Sequence, residues 1–359
     1  MTDNVYYRLQ KHLDNFVMSA PESESFIEIL KIRFTPEEAE IALILSQMPA
    51  DISTLAKSAD MDEEALKSIL EQMADKVLVF KQHQKADGTN KDVYSLLPTA
   101  VGLWETSFAK GEKNPQTEKL ARYWQQYYKD GWGKAMVTPG TPFTRVIPVK
   151  QSIKGQQEIY PYEQASELIK QQDYACVLNC ACRKSAELDG KGCGRPTDVC
   201  LHFGNLARFF VEKGYAREIN IDEAMEILDI TDKAGMLHMV SNSKEMGVAM
   251  CSCCICCCTQ MRAIAEMQVN EPIARSRFAA VVDADDCTAC GTCEERCMVE
   301  AIKITDDIAV VEAIRCIGCG LCVTSCEEEA ISLTERENYI GPVDSTMDLT
   351  EVFLKTLNK

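Results

Sequence analysis

Residues 287–297 read CTACGTCEERC and residues 316–326 read CIGCGLCVTSC. Both follow C-x2-C-x2-C-x3-C, and the match runs past the cysteines: an offset of 29 residues places Ala301 on Ala330, Ile302 on Ile331, Ile304 on Leu333 and Thr305 on Thr334. Such a tandem duplication points to one folded unit built twice. Thiolates are soft, anionic donors that suit iron, and two-residue gaps let three sulfurs converge from one loop onto three corners of a cubane. Structural zinc pairs usually come as two C-x2-C halves separated by a longer loop, so this spacing favours iron over zinc.

The segment 278–333 resembles the bacterial-type two-[4Fe-4S] ferredoxins. The resemblance implies a (βαβ)2 dicluster domain in which the fourth cysteine of each run ligates the other cluster. It assigns Cys287, Cys290, Cys293 and Cys326 to one [4Fe-4S] cluster and Cys316, Cys319, Cys322 and Cys297 to the second. Gly291, Gly318 and Gly320 are expected to let the backbone approach the sulfurs closely. The proline that family usually places after the fourth cysteine is replaced by Met298 in one repeat and Glu327 in the other. Around the motif Asp283, Asp285, Asp286, Glu294, Glu295, Glu300, Asp306, Asp307, Glu312 and Glu327 to Glu329 face only Arg296, Lys303 and Arg315. Such a surface can steer a redox partner with a basic docking face, although a merely solvated face has the same composition.

All nineteen cysteines of the 359-residue chain fall between Cys176 and Cys326. The opening MTDNVYYRLQKHLDNF is polar and broken by charge, and no run of about 18 apolar residues occurs, so no membrane insertion and a cytoplasmic location are expected. In that reducing compartment clustered cysteines read as metal ligands rather than disulfides. The net charge of −17 disfavours nucleic acid and anionic membrane as partners.

The fold class expected is multidomain α+β. Residues 1–104 form a helical N-terminal domain, 105–160 a linker rich in aromatics, Gly and Pro that includes TPGTPFTRVIPV, 161–270 a mainly helical cysteine-rich middle domain, 278–333 the dicluster domain and 334–359 a tail. In the first domain Thr35, Pro36 and Glu38 mark a helix start running to about Gln47, and further helices begin after Asp51 and Asp60. The last of these turns Leu66, Ile69, Leu70 and Met73 inward. Strands at 77–81 and 93–97 flank a turn around Asp87, Gly88, Thr89 and Asn90. Three helices and a hairpin resemble a winged helix-turn-helix.

Eleven cysteines lie outside the dicluster motif, in two groups: Cys176, Cys180, Cys182, Cys193 and Cys200, then CSCCICCC from Cys251 to Cys258. This density implies metal binding. The first choice of ligands for an additional [4Fe-4S] centre is Cys180, Cys182, Cys193 and Cys200. Cys251, Cys253, Cys254 and either Cys257 or Cys258 then hold a second centre or complete the first. Vicinal cysteines point different ways along extended backbone, so the CC pairs favour two centres or an unusual cluster. Arg183, Lys184 and Arg195 beside them can neutralise a cluster or bind an anion. His202 and His238 are candidate ligands, against the commoner reading of histidines satisfied in a core. The region resembles poorly characterised ferredoxin-like proteins of anaerobes, a likeness that implies no function.

The expectation is an electron carrier or redox-enzyme subunit rather than a stand-alone enzyme. One alternative is an oxidoreductase whose active site is the middle metal centre, which needs an open coordination position. The other is a redox-sensing DNA-binding regulator. Against that stands the charge of residues 35–100, with 12 acidic residues, six lysines and no arginine, and a third helix that opens Asp62, Glu63, Glu64.

Overall fold

The computed structural model describes residues 4–86, 89–137, 142–153, 160–267 and 272–357. The chain divides into two interleaved units: residues 1–136 with 176–193 and 204–218, and residues 137–175 with 194–203 and 219–359. Among the described residues no helix is long and apolar enough to cross a membrane.

In the first unit, Thr35 and Glu38 close a reciprocal capping box: the Glu38 N–H donates to Thr35 Oγ1 at 3.2 Å and the Thr35 N–H to Glu38 Oε2 at 2.8 Å. The helix so started is Pro36–Ala42, shorter than its apolar pattern, because Leu43, Ile44 and Leu45 bond three residues back and tighten the chain out of the helix. Asp51 caps Ile52–Ala59, and Asp62 caps Glu63–Asp75, which buries Leu66, Leu70 and Met73 while Ile69 stays half-buried. Strands Val79–Ala86 and Thr89–Leu96 pair antiparallel in the register Val79 to Leu96, and Ala50–Asp51 adds a short third strand. Asp87 and Gly88 of the expected turn lie outside the described residues.

Residues 105–136, read above as linker, carry the helix Pro115–Tyr127. Its Trp124 and Tyr127 are fully buried with Trp132, and Tyr127 stacks on Phe26 at 4.6 Å and on Trp132 at 5.6 Å. The aromatic residues are therefore core, which offsets the ordering entropy of this stretch. Thr138 to Thr141 of the Pro- and Gly-containing run lie outside the described residues.

The second unit begins from short apolar runs. Leu237–Ser241 pairs antiparallel with Thr144–Ile147 and with Ala249–Cys253, and Ala249–Cys253 pairs in turn with Asp198–Phe203. The stretch expected to be mainly helical thus contributes strands as well as helices such as Ile221–Lys233. Runs such as DVCLHF and AMCSC are β-forming, with their cysteines counted as apolar. Toward the C-terminus, Phe278–Val282 pairs antiparallel with Ile331–Glu335, and Ile302–Thr305 with Ile308–Val311. Thr292–Arg296 is a short helix, whereas the equivalent residues of the second repeat form turns. The tail carries a helix, Thr346–Leu357, whose Phe353 packs edge-on against Phe143 at 5.3 Å.

Candidate metal centres

Two cavities lie in the duplicated segment. The first is lined by Cys287, Cys290, Cys293 and Cys326, with Ile304, Ala309 and Ile331 behind them, and its atom-free space, open mouth included, is about 330 Å³. The second is lined by Cys316, Cys319, Cys322 and Cys297, with Leu321, Ile302 and Leu333, and measures about 400 Å³ on the same basis. Each cavity thus takes three cysteines from one repeat and the fourth from the other.

The duplication is visible in the backbone. Ala289 and Gly291 have φ of +54° and +82°, and their counterparts Gly318 and Gly320 have +69° and +77°. Glu300 and Glu329 both have φ of +52°. Left-handed residues beside the second cysteine turn successive N–H groups toward the sulfurs. The Ala309 N–H lies 3.4 Å from Cys287 Sγ, and the Ala301 N–H donates to Cys297 Sγ at 3.1 Å. Met298, where the family has proline, lines the second cavity, and Glu327 is exposed.

The two sites differ in environment. At the first, Cys290 is exposed, and the Thr292 hydroxyl 3.4 Å from its sulfur holds that thiol below its ordinary range. At the second, burial pushes Cys319 up to about 12 and raises Cys322 too, with Cys316 and Cys297 adding repulsion to both. Thiols so reluctant to ionise alone are stable as thiolates once a cationic metal core shares their cavity, which is the fit expected of iron–sulfur ligands.

A third group has a different geometry. The sulfurs of Cys193, Cys254, Cys256 and Cys257 lie within 4.8 Å of one another. A tetrahedral ion with metal–sulfur bonds of about 2.3 Å sets its sulfurs about 3.8 Å apart, so this group has single-ion dimensions. It is the one set of three or more candidate ligands this close among the described residues. Arg195 Nη1 sits 3.8 Å from Cys256 Sγ while its Nε donates to the Ala234 carbonyl at 3.3 Å.

Cys180, Cys182, Cys193 and Cys200 do not form a single-ion set, and a [4Fe-4S] core spreads its cysteine sulfurs wider than a single ion does. Cys180 and Cys182 hydrogen-bond each other at the start of helix Ala181–Leu188, and that bond with burial raises the Cys180 thiol well above its usual range. Cys200 lies on Asp198–Phe203 beside His202. Cys256, absent from the expected ligands, joins Cys193 instead; the C-x-C-C spacing of residues 254–257 is the signal that could have found it. His238 is buried between Asp232, 2.5 Å from Nε2, and Ser252, 3.2 Å from Nδ1, as a satisfied core histidine would be. Burial pushes His202 down to about 4 against the opposing pull of Cys251, so its ring is neutral near pH 7. None of the nineteen cysteines forms a disulfide. No family model matches the chain, and no curated protein or solved structure matches it either.

Proposed function

We propose that this chain is an iron–sulfur electron-transfer protein that carries two [4Fe-4S] clusters in the duplicated segment and a further metal centre at Cys193, Cys254, Cys256 and Cys257. The observation that carries the reading is the exchange of the fourth cysteine: Cys326 lines the cavity of the first repeat and Cys297 that of the second. When bound, the clusters supply reversible one-electron storage at low potential. The protein's own residues do the rest. Sulfur-directed N–H groups from Ala301 and Ala309 stabilise the negative charge on Cys297 and Cys287. Ile302, Leu321 and Leu333 keep water from the second cavity.

Exposed Glu328 lines the first cavity, and exposed Asp285, Asp286, Glu295, Glu327 and Glu329 lie within a few residues of its cysteines in sequence, so the partner expected there presents a basic face. The thiol content suits a reducing cytoplasm. The single-ion spacing at Cys193 supports a tetrathiolate site there. The exposure of Cys256 favours a second reading, in which this centre accepts an external ligand and is itself a site of chemistry.

Anaerobic purification of the full chain, with iron and sulfide counting and EPR of the reduced protein, tests the proposal. The expected result is about eight irons from the duplicated segment and the spectrum of two interacting centres. A protein with about two zinc ions there and no iron would overturn it. A spectral change at the Cys193 centre on adding cyanide separates the second reading from the first.

A further inference from the structure

The cysteines of CSCCICCC part into two sets. Cys254, Cys256 and Cys257 join Cys193, whereas the Cys253 side chain hydrogen-bonds both Cys251 and Cys258. Strand alternation explains the first half of this division: Cys251 and Cys253 share one face of Ala249–Cys253, and Ser252 between them faces Thr231 and His238 on the other. A turn explains the second half. The Cys258 N–H donates to the Cys254 carbonyl at 3.2 Å, which folds the chain after the strand back on itself and returns Cys258 to Cys253.

The neighbouring strand adds to the second set. Leu201 pairs with Met250 and His202 with Ala249, and this antiparallel register carried one step further sets Cys200 opposite Cys251 on the same side of the sheet. Cys200 Sγ lies 3.6 Å from His202 Nε2. Cys200, Cys253 and Cys258 are buried, and Leu237 and Met239 beside Cys253 and Cys251 make the rest of this face apolar. Three of these thiols meet through Cys253 and the fourth, Cys200, stands across from Cys251 on the next strand, a wider spacing than that of the Cys193 group and one that suits a soft-metal cluster better than a single ion.

We propose that Cys200, Cys251, Cys253 and Cys258 hold a second thiophilic metal centre, separate from the one at Cys193, with His202 orienting Cys200. The proposal extends the reading of the Cys193 group as a metal centre, and it gives the two CC pairs a purpose. Cys253 and Cys254 serve different sites, and so do Cys257 and Cys258. Because vicinal residues supply both, the two centres are neighbours, and Cys253 and Cys258 belong to the same apolar core as Cys293, Cys316 and Cys322 of the duplicated segment.

The test compares the full-length protein with Cys253→Ser/Cys258→Ser, with Cys254→Ser/Cys257→Ser and with the fourfold combination, all purified anaerobically, by elemental analysis for iron and zinc, sulfide assay and EPR. Each double variant is expected to lose its own metal complement, and the combination to lose their sum, while the paired-cluster EPR signal persists in all. Wild-type metal content in Cys253→Ser/Cys258→Ser would overturn the proposal. So would an identical loss in both doubles and in the combination, which would mean one shared centre. If Cys253→Ser/Cys258→Ser does not accumulate, Cys251→Ser, at the least buried of the four positions, must show the same loss. Absence of the paired-cluster signal from the wild type would instead refute the ferredoxin-type reading of the duplicated segment and leave this one standing on its metal count.

Discussion

The two cavities of the duplicated segment have the same cysteine spacing and nearly the same backbone, yet they sit in different surroundings. Around the second, residues from outside the repeat hold the loop: the Val149 N–H donates to the Cys319 carbonyl at 2.9 Å, Arg336 Nη2 to the Cys316 carbonyl at 2.6 Å and Ser276 Oγ to the Gly318 carbonyl at 2.7 Å. Around the first, Cys290 and Thr292 are exposed and Asp285, Asp286 and Glu328 are near neighbours in sequence or at the rim. Duplication therefore supplied two equal cysteine sets, and tertiary packing leaves Cys290 exposed at one while residues from outside the repeat hold the loop of the other. In a carrier that difference suits the first site to meeting a partner.

The largest effect that can break this asymmetry is at the buried ion pair next to Ser276 in sequence. Arg277 donates to both carboxylate oxygens of Glu163 at 2.7 and 2.9 Å, and both side chains are buried. Glu163→Gln takes the buried carboxylate charge from this guanidinium while the salt bridge to the more exposed Glu335 remains, so a loss of about 3 kcal/mol in unfolding free energy is expected by denaturant titration.

Next come the glycines. A Cβ at Gly320 would run into the Ser152 side chain, whereas one at its counterpart Gly291 meets nothing within 4 Å and carries only the strain of its φ. Gly320→Ala should cost about 2–3 kcal/mol and reduce iron content, and Gly291→Ala about 1 kcal/mol with iron retained, read by thermal unfolding and iron assay. Equal costs would mean that the second loop is no more tightly held than the first.

Metal removal sharpens the contrast further. Under an iron chelator, loss from the holoprotein should be biphasic, the first cavity emptying severalfold faster because Cys290 is exposed while its counterpart Cys319 is half-buried. Cys290→Ser should accelerate or abolish the fast phase only. The smallest effect is electrostatic: replacing Glu327, Glu328 and Glu329 by Gln should slow electron transfer with a basic partner by up to about tenfold at low salt, flatten its salt dependence and leave the iron count unchanged.

Much of the first unit was legible residue by residue. Thr35 with Glu38, Asp51 and Asp62 mark helix starts because capping is a local matter of one side chain and N–H groups two or three residues on. The core role of Trp124, Tyr127 and Trp132 was not, since aromatic, Gly- and Pro-containing sequence carries no period that distinguishes a packed helix from a linker. In the cysteine-rich stretch, strand character was hidden because cysteine counts both as a ligand and as a small apolar residue.

For the duplicated segment the sequence alone determined the cysteine spacing, the internal repeat and, through the family likeness, the expected grouping of four and four. These depend on short chain distances that any fold must respect. Only the tertiary structure decided that Cys193 joins Cys254, Cys256 and Cys257, that Cys253 turns to Cys251 and Cys258, and that the loop of the second repeat is held by Val149, Ser276 and Arg336. Those outcomes depend on which distant strand or loop packs alongside, and sulfurs 61 residues apart in sequence, such as those of Cys193 and Cys254, meet only because the strands between them pair in one register.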